Sequence, residues 1–190
     1  MIKIGVCGFG TVGQSFVNHV ITYKDKISKN CGQNISISLI ADRSIHKKKF
    51  DAKNLTFSSD VMTAINSDCD LIVELIGGTS VSYNVVKEAL KKKKSVITAN
   101  KALIAEHGDE LFQLSMENET YLGYEASVAG AIPVINTLSH NMSNEKILSI
   151  SGIINGTCNY ILDQMSSENK SFDESLESAK KLGYAESDPT

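Results

Sequence analysis

Gly8, Gly10 and Gly13 are spaced as G-x-G-x-x-G, in the string Gly8-Phe9-Gly10-Thr11-Val12-Gly13. The alternating Ile2, Ile4 and Val6 precede them, and the helically spaced Val12, Phe16 and Val20 follow. In that setting Gly8 allows a tight turn, Gly10 lets backbone approach a ligand, and Gly13 lets a helix pack close to the strand. The amides that open a helix have no intrahelical partner and lie at positive potential, so the turn forms a cradle for a dinucleotide diphosphate. Asp42 and Arg43 stand at the end of the next apolar stretch, where the adenosine ribose is read, with Lys47, Lys48 and Lys49 shortly after. An aspartate there accepts from a ribose 2′-hydroxyl, whereas an arginine pairs with a 2′-phosphate. NAD and NADP both stay open, with NADP favoured. Lys101 follows Ser95-Val96-Ile97-Thr98, and ligands of doubly wound sheets gather at the carboxyl ends of strands, so its ammonium can serve the reacting end of such a cofactor.

The elements that would hold these groups alternate. Ile35 to Ile40 has the period of a second strand, and Thr22 to Gln33 before it reads as a solvated insert. Ser59 and Asp60 can cap a short helix, and Leu71 to Ile76 is the near-continuous apolar run of a strand covered on both faces. Val85, Val86, Ala89 and Leu90 make the next helix, with Lys91 to Lys94 as its cationic C-terminal end. Strand 95–98, a helix over Asp109 to Glu117 and a strand over Thr120 to Tyr124 complete an α/β, Rossmann-type doubly wound parallel sheet over residues 1–124. Residues 125–190 read as an incomplete α+β unit: a helix over Ala131 to His140 with Pro133 in its first turn, a strand over Lys146 to Ile154, and a helix after Asn155-Gly156-Thr157. A last helix is opened by the capping box Ser171-Phe172-Asp173-Glu174 and stopped by Gly183.

Composition removes several function classes. The 190 residues carry 19 Lys+Arg against 22 Asp+Glu and are 42% hydrophobic, too balanced for a nucleic-acid surface or a disordered chain. No apolar run reaches the roughly 20 residues of a membrane span, and the first residues lack a cationic leader, so a cytoplasmic protein is expected. Cys7, Cys31, Cys69 and Cys158 show no C-x-x-C and the four histidines no H-x-x-x-H, which leaves reduced, mostly packed thiols and no zinc site.

A Rossmann pattern does not name a reaction. Four further motifs occur in order: Val73-Glu74-Leu75-Ile76-Gly77-Gly78; Val96-Ile97-Thr98-Ala99-Asn100-Lys101-Ala102-Leu103; Tyr124-Glu125-Ala126-Ser127-Val128-Ala129-Gly130-Ala131-Ile132-Pro133; and Gly152-Ile153-Ile154-Asn155-Gly156-Thr157-Cys158-Asn159-Tyr160-Ile161-Leu162. With Gly183-Tyr184-Ala185-Glu186-Ser187-Asp188-Pro189 at the end, the chain resembles the homoserine dehydrogenases along its whole length. The resemblance implies NAD(P)-dependent interconversion of L-aspartate 4-semialdehyde and L-homoserine, a step in threonine, methionine and isoleucine biosynthesis. It also implies a homodimer for the full-length enzyme, and no nucleic-acid or membrane partner is expected.

Site roles follow from the same resemblance. Lys101 is implied to polarise the substrate oxygen, Glu186 to bind the substrate ammonium, and Gly183 to bring backbone to the cofactor. Glu125, Val128, Gly130 and Ile132 are implied to hold a monovalent cation, sodium, mostly through carbonyl oxygens. Ala131 and Cys158 replace the family's usual glycine and threonine. The family continues past Gly-Tyr-x-Glu-x-Asp-Pro to an aspartate and a proton-donor lysine, so the chain is expected to be an N-terminal part of such an enzyme. One alternative is a dinucleotide-binding module without turnover; another is a thiol-dependent semialdehyde dehydrogenase using Cys158, against which the absence of a suitably placed histidine weighs. Glu74, in its apolar strand, reads as a buried, hydrogen-bonded structural acid.

Overall fold

The computed structural model describes residues 1–47 and 55–185. Lys48, Lys49, Glu186 and the Asp188-Pro189 end of the last motif lie outside them, as does the side chain of Lys47. The chain divides into two compact units, Met1–Met142 and Ser143–Thr190.

The first unit is a parallel sheet of six strands among the described residues, in the order β3-β2-β1-β4-β5-β6. The strands are β1 (Ile2–Cys7), β2 (Ile35–Ala41), β3 (Thr56–Ser58), β4 (Leu71–Glu74), β5 (Ser95–Thr98) and β6 (Leu122–Gly123). This is the expected doubly wound architecture, with the order reversing at β1. The pleat sends neighbouring residues to opposite faces, which explains two cores. Ile4, Val6, Phe9, Val17 and Val20 pack together on one side with Ile37 and Ile40. Cys7, Ile72, Val85, Val86, Leu90, Leu103 and Leu111 pack on the other. Helix α1 (Thr11–Thr22) thus covers the first face, and α4 (Ser80–Lys91) and α5 (Lys101–Glu117) cover the second.

Several local expectations are corrected. The stretch read as a solvated insert forms a helix, α2 (Lys24–Cys31), which buries none of its residues and therefore leaves no apolar period to read. Its ends are marked instead by Asp25 in the first turn, Lys29 in the last, and Gly32 in the left-handed conformation at φ 70°. The short helix after Asp60 is α3 (Met62–Asn66), with the Met62 amide donating to Asp60 Oδ1 at 2.9 Å. Helix α5 starts at Lys101, well before Asp109, because the Asn100 side chain accepts from the Leu103 amide and caps it. The lysines after α4 also act beyond its dipole, for Lys94 Nζ donates to the Ser67 carbonyl at 2.7 Å and holds the turn before β4.

Residues 125–142 pack with the first unit. The expected helix over Ala131 to His140 starts later, as α6 (Val134–Asn136), and passes into a π-helical turn, Thr137–Asn141. Pro133 sits at its N-cap, where a missing N–H costs nothing. In the second unit, the strand expected over Lys146 to Ile154 is absent. A strand needs a neighbouring backbone for its ladder, and no described segment pairs with this one; Leu148 is 84% exposed and Ile154 99%. Helices α7 (Gly156–Ser167) and α8 (Phe172–Lys181) pack against each other, and Tyr160 Oη and Ser178 Oγ lie 2.9 Å apart. The capping box at Ser171 and Glu174 forms with both reciprocal bonds. Gly183, at φ 77°, ends α8 with the Tyr184 amide donating to the Ala179 carbonyl and its own to that of Lys180. Among the described residues no helix is long and apolar enough to cross a membrane.

Candidate functional site

The carboxyl ends of β1, β2 and β4 open onto a cleft of about 650 Å³ in the first unit. Gly8 and Gly10, residues 42–44, residues 59–61 and residues 75–81 line it. The glycine turn is built by close approach. Gly8 has φ 98°, and a Cβ there would lie 2.4 Å from the Leu75 carbonyl oxygen. A Cβ at Gly13, buried in the first turn of α1, would lie 2.3 Å from the Gly8 carbonyl oxygen. These two glycines are required by the protein's own backbone. Gly10 differs: its φ is −74°, which any residue adopts, and a Cβ would meet nothing within 4 Å. The space over Gly10 is open, and it faces the start of a helix with no side-chain cap and no acid in its first turn.

Those observations fit a bound diphosphate. Free helix-opening amides and positive potential stand beside a cradle that a side chain on Gly10 would fill. Thr11 and Val12, the first two residues of α1, are exposed. The Phe9 ring is fully buried against the first core, edge-on to Phe57.

Asp42 ties the end of β2 to this turn. The Phe9 amide donates to Asp42 Oδ2 at 2.7 Å, while the Ser44 amide and hydroxyl donate to Oδ1 at 2.7 and 2.8 Å. Much of the carboxylate's acceptor capacity is thus used within the protein. Arg43, next in the chain, is exposed on the cleft wall.

At the other end of the cleft, Glu74 is fully buried. Its Oε1 accepts from the Ile76 amide at 2.7 Å and from Ser82 Oγ at 2.9 Å, and its Oε2 accepts from Thr98 Oγ1 at 2.6 Å. This satisfies the expectation of a buried, hydrogen-bonded acid. Asn100 joins the same corner, its Nδ2 donating to the Gly78 carbonyl at 2.6 Å. Lys101 follows as the first residue of α5 and is exposed. Neither Asn100 nor the 75–81 wall was singled out from sequence as site material. The signals were an Asn before an apolar run and a Gly-Gly pair ending a strand at the sheet's carboxyl edge.

The 125–132 loop is anchored beside β5, with Ser127 Oγ donating to the Thr98 carbonyl at 3.0 Å. The Glu125 carboxylate accepts from the Ile135 amide at 3.0 Å and the Asn136 amide at 2.8 Å, so its side chain caps α6. Ala129 and Gly130 are consecutive left-handed residues, at φ 54° and 60°, and Ile132 is exposed. Among the described residues no three His, Cys, Asp or Glu side chains cluster to hold a metal. Gly183 lies in the second unit and Glu186 outside the described residues.

The thiols divide by burial, which corrects the expectation of mostly packed cysteines: Cys7 and Cys69 are buried, Cys31 and Cys158 exposed. Burial, with the nearby Glu74 charge adding, pushes the Cys7 thiol up to about 12. Cys158 lies in the first turn of α7, its amide donating to Asn155 Oδ1.

The sequence profile of "Homoserine dehydrogenase, NAD binding domain" matches residues 8–125, and that of "Homoserine dehydrogenase" matches residues 133–190. The chain belongs to the homoserine dehydrogenase family. Homoserine dehydrogenase of Pseudomonas aeruginosa is 40% identical over all 190 residues, which cover 44% of that protein. The crystal structure of a homoserine dehydrogenase from Thiobacillus denitrificans superposes on the whole chain with a TM-score of 0.92 at 35% identity, 44% of it being covered. A hyperthermophilic archaeal homoserine dehydrogenase in complex with NADPH matches 99% of the chain and 63% of its own, with a TM-score of 0.81 at 27% identity. The chain thus spans less than half the length of the curated relatives it matches. It carries the family's NAD-binding domain and a portion of the catalytic domain.

Proposed function

We propose that this chain forms the cofactor half of a homoserine dehydrogenase, interconverting L-aspartate 4-semialdehyde and L-homoserine with a nicotinamide dinucleotide. One observation carries the reading: the uncapped start of α1, with open space over Gly10, faces a cleft reaching from Arg43 to Gly78. Gly10, Thr11 and Val12 would hold the diphosphate through their amides, while Gly8, Phe9 and Gly13 shape the turn, the Gly8 and Phe9 amides being bonded to Ala41 and Asp42. NADP is the better fit of the two cofactors. Asp42 is committed to Phe9 and Ser44, while Arg43 stands exposed on the wall where a 2′-phosphate would lie.

The bound nicotinamide supplies or accepts the hydride. Reduction builds negative charge on the aldehyde oxygen, and the Lys101 ammonium neutralises it. Glu186 pairs with the substrate ammonium, and Gly183 brings backbone to the cofactor. The carbonyls of Glu125, Val128, Gly130 and Ile132 would hold a sodium ion. Support comes from the Glu125 side chain being used as a cap, which leaves oxygen donation to the backbone, the kind of ligand a hard cation prefers. Four free thiols fit a reducing, cytoplasmic setting, and the full-length enzyme is read as a homodimer.

The test is titration with NADPH and NADH, followed by oxidation of NADPH in the presence of aspartate semialdehyde. The reading expects tighter binding of NADPH, and absence of binding by either cofactor overturns it. Because the chain spans 44% of its relative, binding without turnover by these 190 residues alone would favour the nucleotide-binding module.

A further inference from the structure

We propose that Glu74 is a positioning residue for the nicotinamide end of the cleft, acting through Thr98 and Asn100 without touching the ligand. The inference rests on the cofactor reading above. Glu74 ends β4, one position before the cleft wall begins, and is 0% exposed. No ion pair among the described residues includes it. An acid at such a place is costly, and a plain core position is served as well by an apolar residue. What a carboxylate adds is the capacity to accept several donors at once.

Here the donors come from three separate segments: the Ile76 amide in the turn after β4, Ser82 Oγ in α4, and Thr98 Oγ1 at the end of β5. Thr98 Oγ1 in turn accepts from the Asn100 amide at 3.0 Å, and Asn100 Nδ2 returns to the Gly78 carbonyl at 2.6 Å. The chain of bonds therefore closes a ring around two turns, the one carrying Gly78 and the one carrying Lys101. Both lie on the β4–β5 side of the glycine turn, opposite Asp42 and Arg43 on the β2 side. In a sheet that reverses at β1, adenosine lies on one side and nicotinamide on the other. Glu74 thus fixes one half of the cleft and leaves the diphosphate cradle to its own glycines.

The test separates the two halves with two probes on the intact protein. One is NADPH or NADH, whichever the unaltered protein binds more tightly, and the other is the matching ADP-ribose fragment that lacks nicotinamide. Thr98→Val keeps volume but removes the hydroxyl between Glu74 and Asn100. It is expected to weaken dinucleotide binding about tenfold and leave the fragment within about twofold, with Thr98→Ser restoring both. Glu74→Gln, which turns a donor toward Thr98, is expected to show the same split and covers the case of a poorly folding valine variant. Dinucleotide affinity unchanged in both variants overturns the inference. So does equal loss of both probes with a lower unfolding midpoint, the result of a merely structural acid. Failure of the unaltered protein to bind either probe overturns the cofactor reading itself.

Discussion

The two units treat their apolar residues in opposite ways. In Met1–Met142 most residues of the strands other than β3 are buried, and the cleft rests on two filled cores. In Ser143–Thr190 two helices pack together, with Ile161, Gln164, Ser175 and Ala179 buried, while Leu148, Ile150, Ile153, Ile154 and Leu162 face outward. Both units carry motifs of the family resemblance. What differs is burial: among the described residues, only the first unit closes filled cores around its motifs.

The sharpest way to break this contrast is at Gly8. Its φ of 98° and a Cβ 2.4 Å from the Leu75 carbonyl predict that Gly8→Ala destabilises the first unit by about 3 kcal/mol or more. Urea unfolding followed on the first unit checks it; an unchanged midpoint would mean the turn is not held by its close approach to β4.

Thiol labelling sharpens the comparison next. Cys31 and Cys158 are expected to react at once at pH 8, and Cys7 and Cys69 about a hundredfold more slowly, at the rate of opening. The sign for Cys7 follows from its proton: the folded thiol keeps it to about 12, while the unfolded thiol loses it near 9.0. Its contribution to stability is therefore intact below pH 9 and declines as pH rises toward 12, which alkaline unfolding curves with and without Cys7→Ala would read.

A smaller effect belongs to the second unit. Ser171→Ala removes the α8 capping box and should cost about 1 kcal/mol, seen as faster amide exchange in residues 172–175 while the first unit is unmoved.

Much of this was legible in the sequence, for identifiable reasons. The glycine spacing, the period of two in β2, and the Ser171 and Gly183 signals are each written within a few neighbouring residues, and the structure forms them, even where, as at Gly8, the contact that demands the residue is distant. Helix α2 was missed because Ile27 alone of its apolar side chains packs on the core, half-buried, and β3 because three edge residues carry too little pattern. The strand expected at Lys146 to Ile154 failed for the opposite reason: its apolar residues are real, but no described backbone pairs with them. At the site, the glycine turn was readable residue by residue. The tie from Asp42 to Phe9 and the ring around Glu74 were not, because their long bonds join residues 22 to 33 positions apart and only the sheet order brings them together.

Gly10 offers the most direct test of the central claim, that the start of α1 holds a dinucleotide. A Cβ there meets no protein atom within 4 Å and opens onto the cleft, so Gly10→Val is expected to fold with an unfolding midpoint close to that of the unaltered protein. Calorimetric titration with NADPH should then show binding by the unaltered protein and a loss of about a hundredfold or more in the variant, because the valine fills the cradle. NADPH affinity equal in the two proteins would contradict the account.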